Sequence, residues 1–271
     1  MVNSINTNAG AAHGVQQLNK TTSILDQIRE RVATGKKVNG PKDDAAVYAI
    51  AKQLEGELAA TAAVRTNLAF GEAATGVALS ASQDISDLLI EAKAKAVQAS
   101  QDGLDQSSRD ALQADLNSLT SQIDTIVSSS GFGGTNLVEP GAGNLDVLST
   151  EQGDTIAVNA ADLSTSGLGV DTLNLSSASN AQSAVSQIDS ALRSANAAAA
   201  SFGSSAKRIE EQGSFTTKMA DSIRQGLGKL VDADMGAESA KLLANEVRQR
   251  LGVQSLSIAN AAPRNIASLF E

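Results

Sequence analysis

Asp43-Asp44 and Asp232-Ala233-Asp234 place carboxylates close enough together to invite a metal reading. Hard divalent cations gather about six oxygen ligands, and neither pair has further oxygen donors beside it in sequence. Both pairs stand before long apolar-striped segments. There an acidic side chain accepts from exposed backbone N–H groups and faces the positive end of the helix dipole, so Asp43, Asp44, Asp232 and Asp234 are expected to be helix caps. Gly35-Lys36-Lys37 resembles the end of a phosphate-binding loop, but Glu30 stands where its first glycine is required and no Ser or Thr follows Lys36. His13 is the only histidine, without a second imidazole for a metal or an evident nucleophile to activate. Cysteine is absent, which removes disulfides and thiolate sites. No catalytic residues, cofactor site or metal site are expected, and the chain does not read as an enzyme.

With catalysis set aside, the elements carry the information. Aromatic residues make up 2% of the 271, with no Trp, one Tyr and five Phe. A thick globular core is usually anchored by such side chains; Ala, Ser, Leu, Ile and Val suit helices packed closely together instead. The formal net charge of -9 and the scattered Lys and Arg argue against nucleic acid as a partner. Residues 1–8 lack the charged and apolar regions of a cleavable secretory signal, and no apolar run is long enough for membrane insertion.

Leu18, Leu25, Ile28 and Val32 follow heptad spacing, with Ile5, Ala9 and Ala12 in a shifted phase. Gly35 ends this helix and Gly40-Pro41 marks a break. A second helix starts near Asp43-Asp44, with Val47, Ile50, Leu54 and Leu58 as its first buried face and Ile85, Leu88, Ala92, Ala96 and Ala99 as a later one. Unbroken to Ser100, it would be roughly 80 Å long. A third carries Leu112, Leu116, Leu119, Ile123 and Ile126 and stops at Ser128-Ser129-Ser130-Gly131.

Turn residues then dominate from Phe132 to about Ser179, where Leu145/Val147 and Ile156/Val158 alternate around Gln152-Gly153-Asp154 as in a β-hairpin. From Val185 the positions Ile188, Leu192, Ala195, Ala199, Phe202, Ala206, Ile209, Gly213, Thr216, Ala220, Ile223, Leu227 and Leu230 alternate by three and four, the seam of a coiled coil. The phase breaks at Asp232, after which Val247, Leu251, Ile258, Ala262, Ile266 and Leu269 form a terminal stripe. The fold class expected is mainly α: an elongated antiparallel helical bundle or coiled-coil rod with a small β-hairpin region, plus paired terminal helices. The domain layout expected is terminal segments 1–40 and 232–271 around a helical rod of 41–231, with the hairpin region at about 132–178.

One pair of terminal helices can shield only part of its apolar surface. Ile5, Leu18, Leu25, Ile28, Val32, Val247, Leu251, Ile258, Ile266 and Leu269 are therefore expected to pack against further copies of the chain.

Asn39-Gly40-Pro41-Lys42-Asp43-Asp44-Ala45-Ala46, followed by Ala49-Ile50-Ala51, resembles the amino-terminal signature of bacterial flagellins. Phe132-Gly133-Gly134-Thr135-Asn136-Leu137 is similar to the family's Phe-Asn-Gly-Thr turn. Asp232-Ala233-Asp234-Met235 with Glu238-Ser239, and Ala259-Asn260-Ala261-Ala262-Pro263-Arg264-Asn265-Ile266-Ala267-Ser268-Leu269, resemble its carboxy-terminal signatures. The chain departs from the pattern at Gly133, at Val47-Tyr48 and at Glu271. That last residue sets negative charge at the unfavourable end of a helix dipole.

The resemblance implies a structural subunit that polymerises into the flagellar filament for swimming motility, its terminal helices forming an inner tube and its longer helices the next layer. The short middle implies a minimal flagellin of the alphaproteobacterial kind, with the outer insertions nearly absent. It further implies secretion by the flagellar type III export apparatus, an export chaperone, filament cap and junction proteins as partners, and an extracellular location. Lys95 stands where members that activate a Toll-like receptor commonly carry an apolar residue, which implies weak recognition. The alternatives are a hook–filament junction protein, which shares related terminal helices, and an intracellular coiled-coil adaptor.

Overall fold

A computed structural model describes residues 7–267, with side chains through Ala261. The elements run α1 (Ala9–Thr34), α2 (Ala45–Ala99), α3 (Gln106–Ser129), β1 (Gly131–Phe132), β2 (Thr135–Asn136), β3 (Leu145–Leu148), β4 (Thr155–Val158), α4 (Thr165–Leu168), α5 (Ala178–Val231) and α6 (Met235–Ala267). They divide into two compact units, one of residues 1–56 and 222–271, the other of 57–221. The helices α2 and α5 contribute to both.

In the 57–221 unit, α2 and α5 are antiparallel: Ser86 meets Asn196 at 3.4 Å and Lys93 pairs with Asp189 at 2.6 Å, so one number falls as the other rises. α3 also runs antiparallel to α2, with Lys95 on Asp115 at 2.6 Å and Arg109 donating to the Ala99 carbonyl. Arg109 is buried, and its second amino group donates to the Gln101 carbonyl at 2.9 Å, so one guanidinium satisfies carbonyls at the end of α2. Ile85, Leu89 and Ala96 of α2, Leu116 and Ile123 of α3 and Ile188 and Phe202 of α5 join one continuous core. Thr75, Ser82 and Ser86 lie buried in it and each donates to the carbonyl four residues back, which keeps their hydroxyls satisfied.

The seam of α5 differs in phase from the sequence reading. Ile188, Ala195, Phe202, Ile209, Thr216 and Ala220 are buried as expected, but the companion row is Ala184, Ala191, Ala198 and Ser205, one residue ahead of Val185, Leu192, Ala199 and Ala206, which are only half-buried. The larger Val185 and Leu192 flank the core while small side chains occupy the line of closest approach. A similar shift affects the start of α2. Ala51 is buried, whereas Val47, Leu54 and Leu58 are half-buried and Ile50 is 49% exposed.

The middle segment holds the expected hairpin, with Leu145 opposite Val158 and Val147 opposite Ile156. Val147 sits directly over Gly71 of α2, where an added Cβ would lie 2.4 Å from it, so only glycine lets the hairpin seat this closely. Two further features escaped the sequence reading. β1 and β2 pair around Gly133-Gly134, both at positive φ, beside a Phe70–Phe132 ring contact at 5.5 Å. The short α4 is tied to α3 by the Asp124 carboxylate, which accepts from the backbone and hydroxyl of Thr165, both at 3.0 Å.

Candidate functional site

The other unit is built on α1 and α6. Their contacts run in opposite senses: the Asn8 amide donates to the Ala259 carbonyl at 2.9 Å, Gln249 donates to Thr22 at 3.3 Å, Arg29 faces Glu246 at 3.8 Å and Arg31 faces Glu238 at 3.9 Å. On α1 the covered positions are Ala11, Gly14, Leu18, Thr21, Leu25, Ile28 and Val32, spaced alternately by three and four. The phase therefore continues through Ala11 and Gly14. Ala9 and Ala12, expected as an earlier stripe, are exposed.

On α6 the covered row is Glu238, Leu242, Asn245, Gln249, Gly252, Leu256 and Ala259, spaced by four and three in step with its antiparallel partner. Large meets small across the pair: a Cβ on Gly14 would lie 3.3 Å from Leu256 Cδ1, and one on Gly252 would lie 3.5 Å from Leu18 Cδ1. Each glycine makes room for a leucine.

The apolar stripe of α6 is a different face. Leu243, Val247, Leu251 and Ile258 are 65%, 55%, 56% and 69% exposed. At about 100° per residue they occupy an arc of about 80°, centred about 180° from Glu238. Among the positions expected to meet other copies, Val247, Leu251 and Ile258 lie on this open arc, Leu18 and Val32 are half-buried, and Leu25 and Ile28 are buried within the unit. Ile5, Leu269 and the side chain of Ile266 lie outside the described residues. Leu243 was not singled out from sequence, although its four-residue spacing before Val247 was the available signal.

A short backbone joint connects the pair. Lys36 and Asp232 form an isolated antiparallel bridge, Lys37 N–H donates to the Val231 carbonyl at 2.7 Å and Ala233 N–H to the Gly35 carbonyl at 2.8 Å. Gly35 closes α1 with φ of 70°, the left-handed geometry glycine adopts without penalty.

The four aspartates divide by role. Asp44 accepts from Ala46 and Val47 N–H, both at 3.0 Å, and Asp234 accepts from Ala237 N–H at 3.0 Å, each at the first turn of a helix. Asp43 instead accepts from Asn39 and Gly40 N–H at 2.9 and 3.1 Å, closing the turn that precedes α2. These bonds, with the Arg31 charge nearby, hold its carboxyl below the usual range. Asp232 belongs to the α5 end and the backbone bridge. Asn8 and Asp105 cap α1 and α3 and were not singled out from sequence. Tyr48 carries the Lys52 ammonium 5.7 Å over its ring. His13 sits on α1, and among the described residues no group of carboxylates and histidines could hold a metal ion.

The α1–α6 unit thus pairs two antiparallel helices and leaves one face of α6 apolar and open. The models for the bacterial flagellin N-terminal and C-terminal helical regions match residues 5–140 and 185–270. The chain is 39% identical over 270 residues to flagellin FljK of Caulobacter vibrioides, covering 99% of each chain. It is 31% identical to a flagellin of Brucella melitensis, covering 98% of this chain and 99% of that one. The crystal structure of Bacillus cereus flagellin aligns with a TM-score of 0.52 at 25% identity, over 58% of this chain and 94% of that one. The chain belongs to the bacterial flagellin family, in its alphaproteobacterial form. It is a structural subunit of the flagellar filament, and the junction-protein alternative is not favoured. No helix among the described residues is long and apolar enough to cross a membrane.

Proposed function

We propose that the α1–α6 pair is the polymerising element of this flagellin, and that the open arc of α6 is covered in the filament by other copies of the chain. The observation that carries this reading is the exposed row Leu243, Val247, Leu251 and Ile258 on the side turned away from α1. An apolar row of this kind loses about 25 cal/mol for every Å2 left in water. The interface includes Leu18, Val32, Val247, Leu251 and Ile258, with Ile5, Ile266 and Leu269 extending it, while Leu25 and Ile28 hold α1 in place to present it. An open filament needs heterologous contacts, so the arc meets a different surface on the next copy.

In this account residues 1–40 and 232–271 make the inner tube and 41–231 the layer around it. The terminal helices gain their full order on joining the filament, at a cost of several kcal/mol offset by the interface. Export through the flagellar type III apparatus with a chaperone, growth under a cap and an extracellular location complete the reading, and its role is structural rather than catalytic. The test is growth of purified subunit on short filament seeds. Leu251→Asp sets an unpaired charge in the interface and is expected to abolish growth; normal filaments from that variant would overturn the assignment of the α6 arc.

A further inference from the structure

Glu238 is the anomaly of the α1–α6 pair. It occupies a covered position of the α6 seam with a side chain only 7% exposed. Its Oε1 accepts from Lys241 Nζ at 2.8 Å, while its Oε2 is buried without a hydrogen-bond partner among the described residues. A buried carboxylate oxygen left without a donor costs more than an unmade surface bond. The nearest cation on the facing helix is Arg31, whose Nη1 stands 3.9 Å from Oε1, outside hydrogen-bond distance. The Arg31 charge also lies near enough to Asp43 to favour its ionised form.

Lys241, on the same helix, donates to Oε1 and leaves Oε2 unserved. A guanidinium is a planar fork that spans both oxygens of a carboxylate. Bringing Arg31 to bonding distance requires an approach of about 1 Å between the partners. The direction of that approach is set by the architecture: Glu238 lies about 180° around α6 from the open apolar arc. Packing on the arc presses the Glu238 side of α6 toward α1.

We propose that Arg31 and Glu238 form an assembly-coupled ion pair, held at 3.9 Å in the free subunit and closed to hydrogen-bond distance in the filament. It rests on the reading of the α6 arc given above. Glu238 is a positioning residue: it selects the tightened form of the pair because only there is its second oxygen satisfied. A contact completed in one state and not the other shifts the equilibrium toward the first by its differential free energy.

The test is a double-mutant cycle on the full chain with E238Q, R31M and the double variant, read in two states. In seeded growth each single variant is expected to raise the critical concentration roughly tenfold, with the double variant no worse than either single. If neither single variant grows, restored growth of the double variant is the same coupling at its limit. In thermal melting of the dilute subunit, where the pair stands at 3.9 Å, the same residues are expected to show a smaller coupling. Additive effects on growth, or growth of E238Q at the parent's critical concentration, overturn the proposal, and so does coupling of equal size in the melting of the subunit. A parent chain that does not grow on seeds overturns the filament reading and the pair with it, whereas a parent that grows with additive variants overturns the pair alone.

Discussion

At the scale of single residues, hydrogen-bonded carboxylates and small side chains under bulky neighbours do most of the local specification. Asp105 accepts from Ser107 and Ser108, and the Ser108 backbone bond above all holds its carboxyl below the ordinary value of 3.8. A lowered folded-state value means the contribution to stability is complete above about 3.8 and is lost as pH falls through the folded value. Protection of the first-turn amides of α3 against exchange, relative to their intrinsic rates, is therefore expected to fall below pH 3.8, and Asp105→Asn, which keeps a capping oxygen, is expected to remove that pH dependence. Gly133 makes a sharper case. It has φ of +58° and an added Cβ would fall 2.4 Å from Phe70 Cε2, so Gly133→Ala is expected to lower the stability of the 57–221 unit by roughly 1–3 kcal/mol in urea unfolding. Neither Asp105 nor the Phe70 contact was legible in the sequence. A cap before a weak helix start and a two-residue strand pair are both shorter than any periodic signal.

At the scale of elements, spacing foretold where the helices lie better than which row each one buries. The heptads of α3 and α5, the stop at Gly35 and the register-compatible alternation of Leu145/Val147 and Ile156/Val158 could all be read from residue types. The companion row of α5 could not, because Val185 and Leu192 outweigh Ala184 and Ala191 in any hydrophobic count, while close helix approach favours the alanines. Two substitutions separate the readings. Ala195→Leu, at a position with no exposure, is expected to cost roughly 1–3 kcal/mol by overpacking, and Ala199→Leu, on the half-buried flank, is expected to cost much less. Phe202→Ala, at the largest fully buried side chain among the described residues, is expected to cost roughly 3–5 kcal/mol. Thermal or urea melting of the purified chain measures all three. Glu238 teaches the complementary lesson. A glutamate near a helix start reads as a solvated face, yet its spacing with Leu242, Asn245 and Gln249 was the signal that it lies in a seam.

At the scale of the whole molecule, the filament role follows from family membership, and the proposed physical reason for polymerisation rests on what α6 leaves uncovered. Apart from Leu242 and Leu256, its face toward α1 is polar or small, while Leu243, Val247, Leu251 and Ile258 face away, unlike a helix whose burial is complete within one chain. Removal of residues 1–40 or 232–271 is accordingly expected to leave a soluble, helical protein that no longer sediments as filaments. The most direct measurement uses the absence of cysteine from the natural sequence. A Leu251→Cys variant carries one thiol, on the arc, and its labelling by a soluble maleimide can be followed in dilute subunit and in filaments grown on parent seeds. The thiol is expected to react rapidly in the subunit and to be protected in the filament; equal labelling rates in the two states would contradict the account.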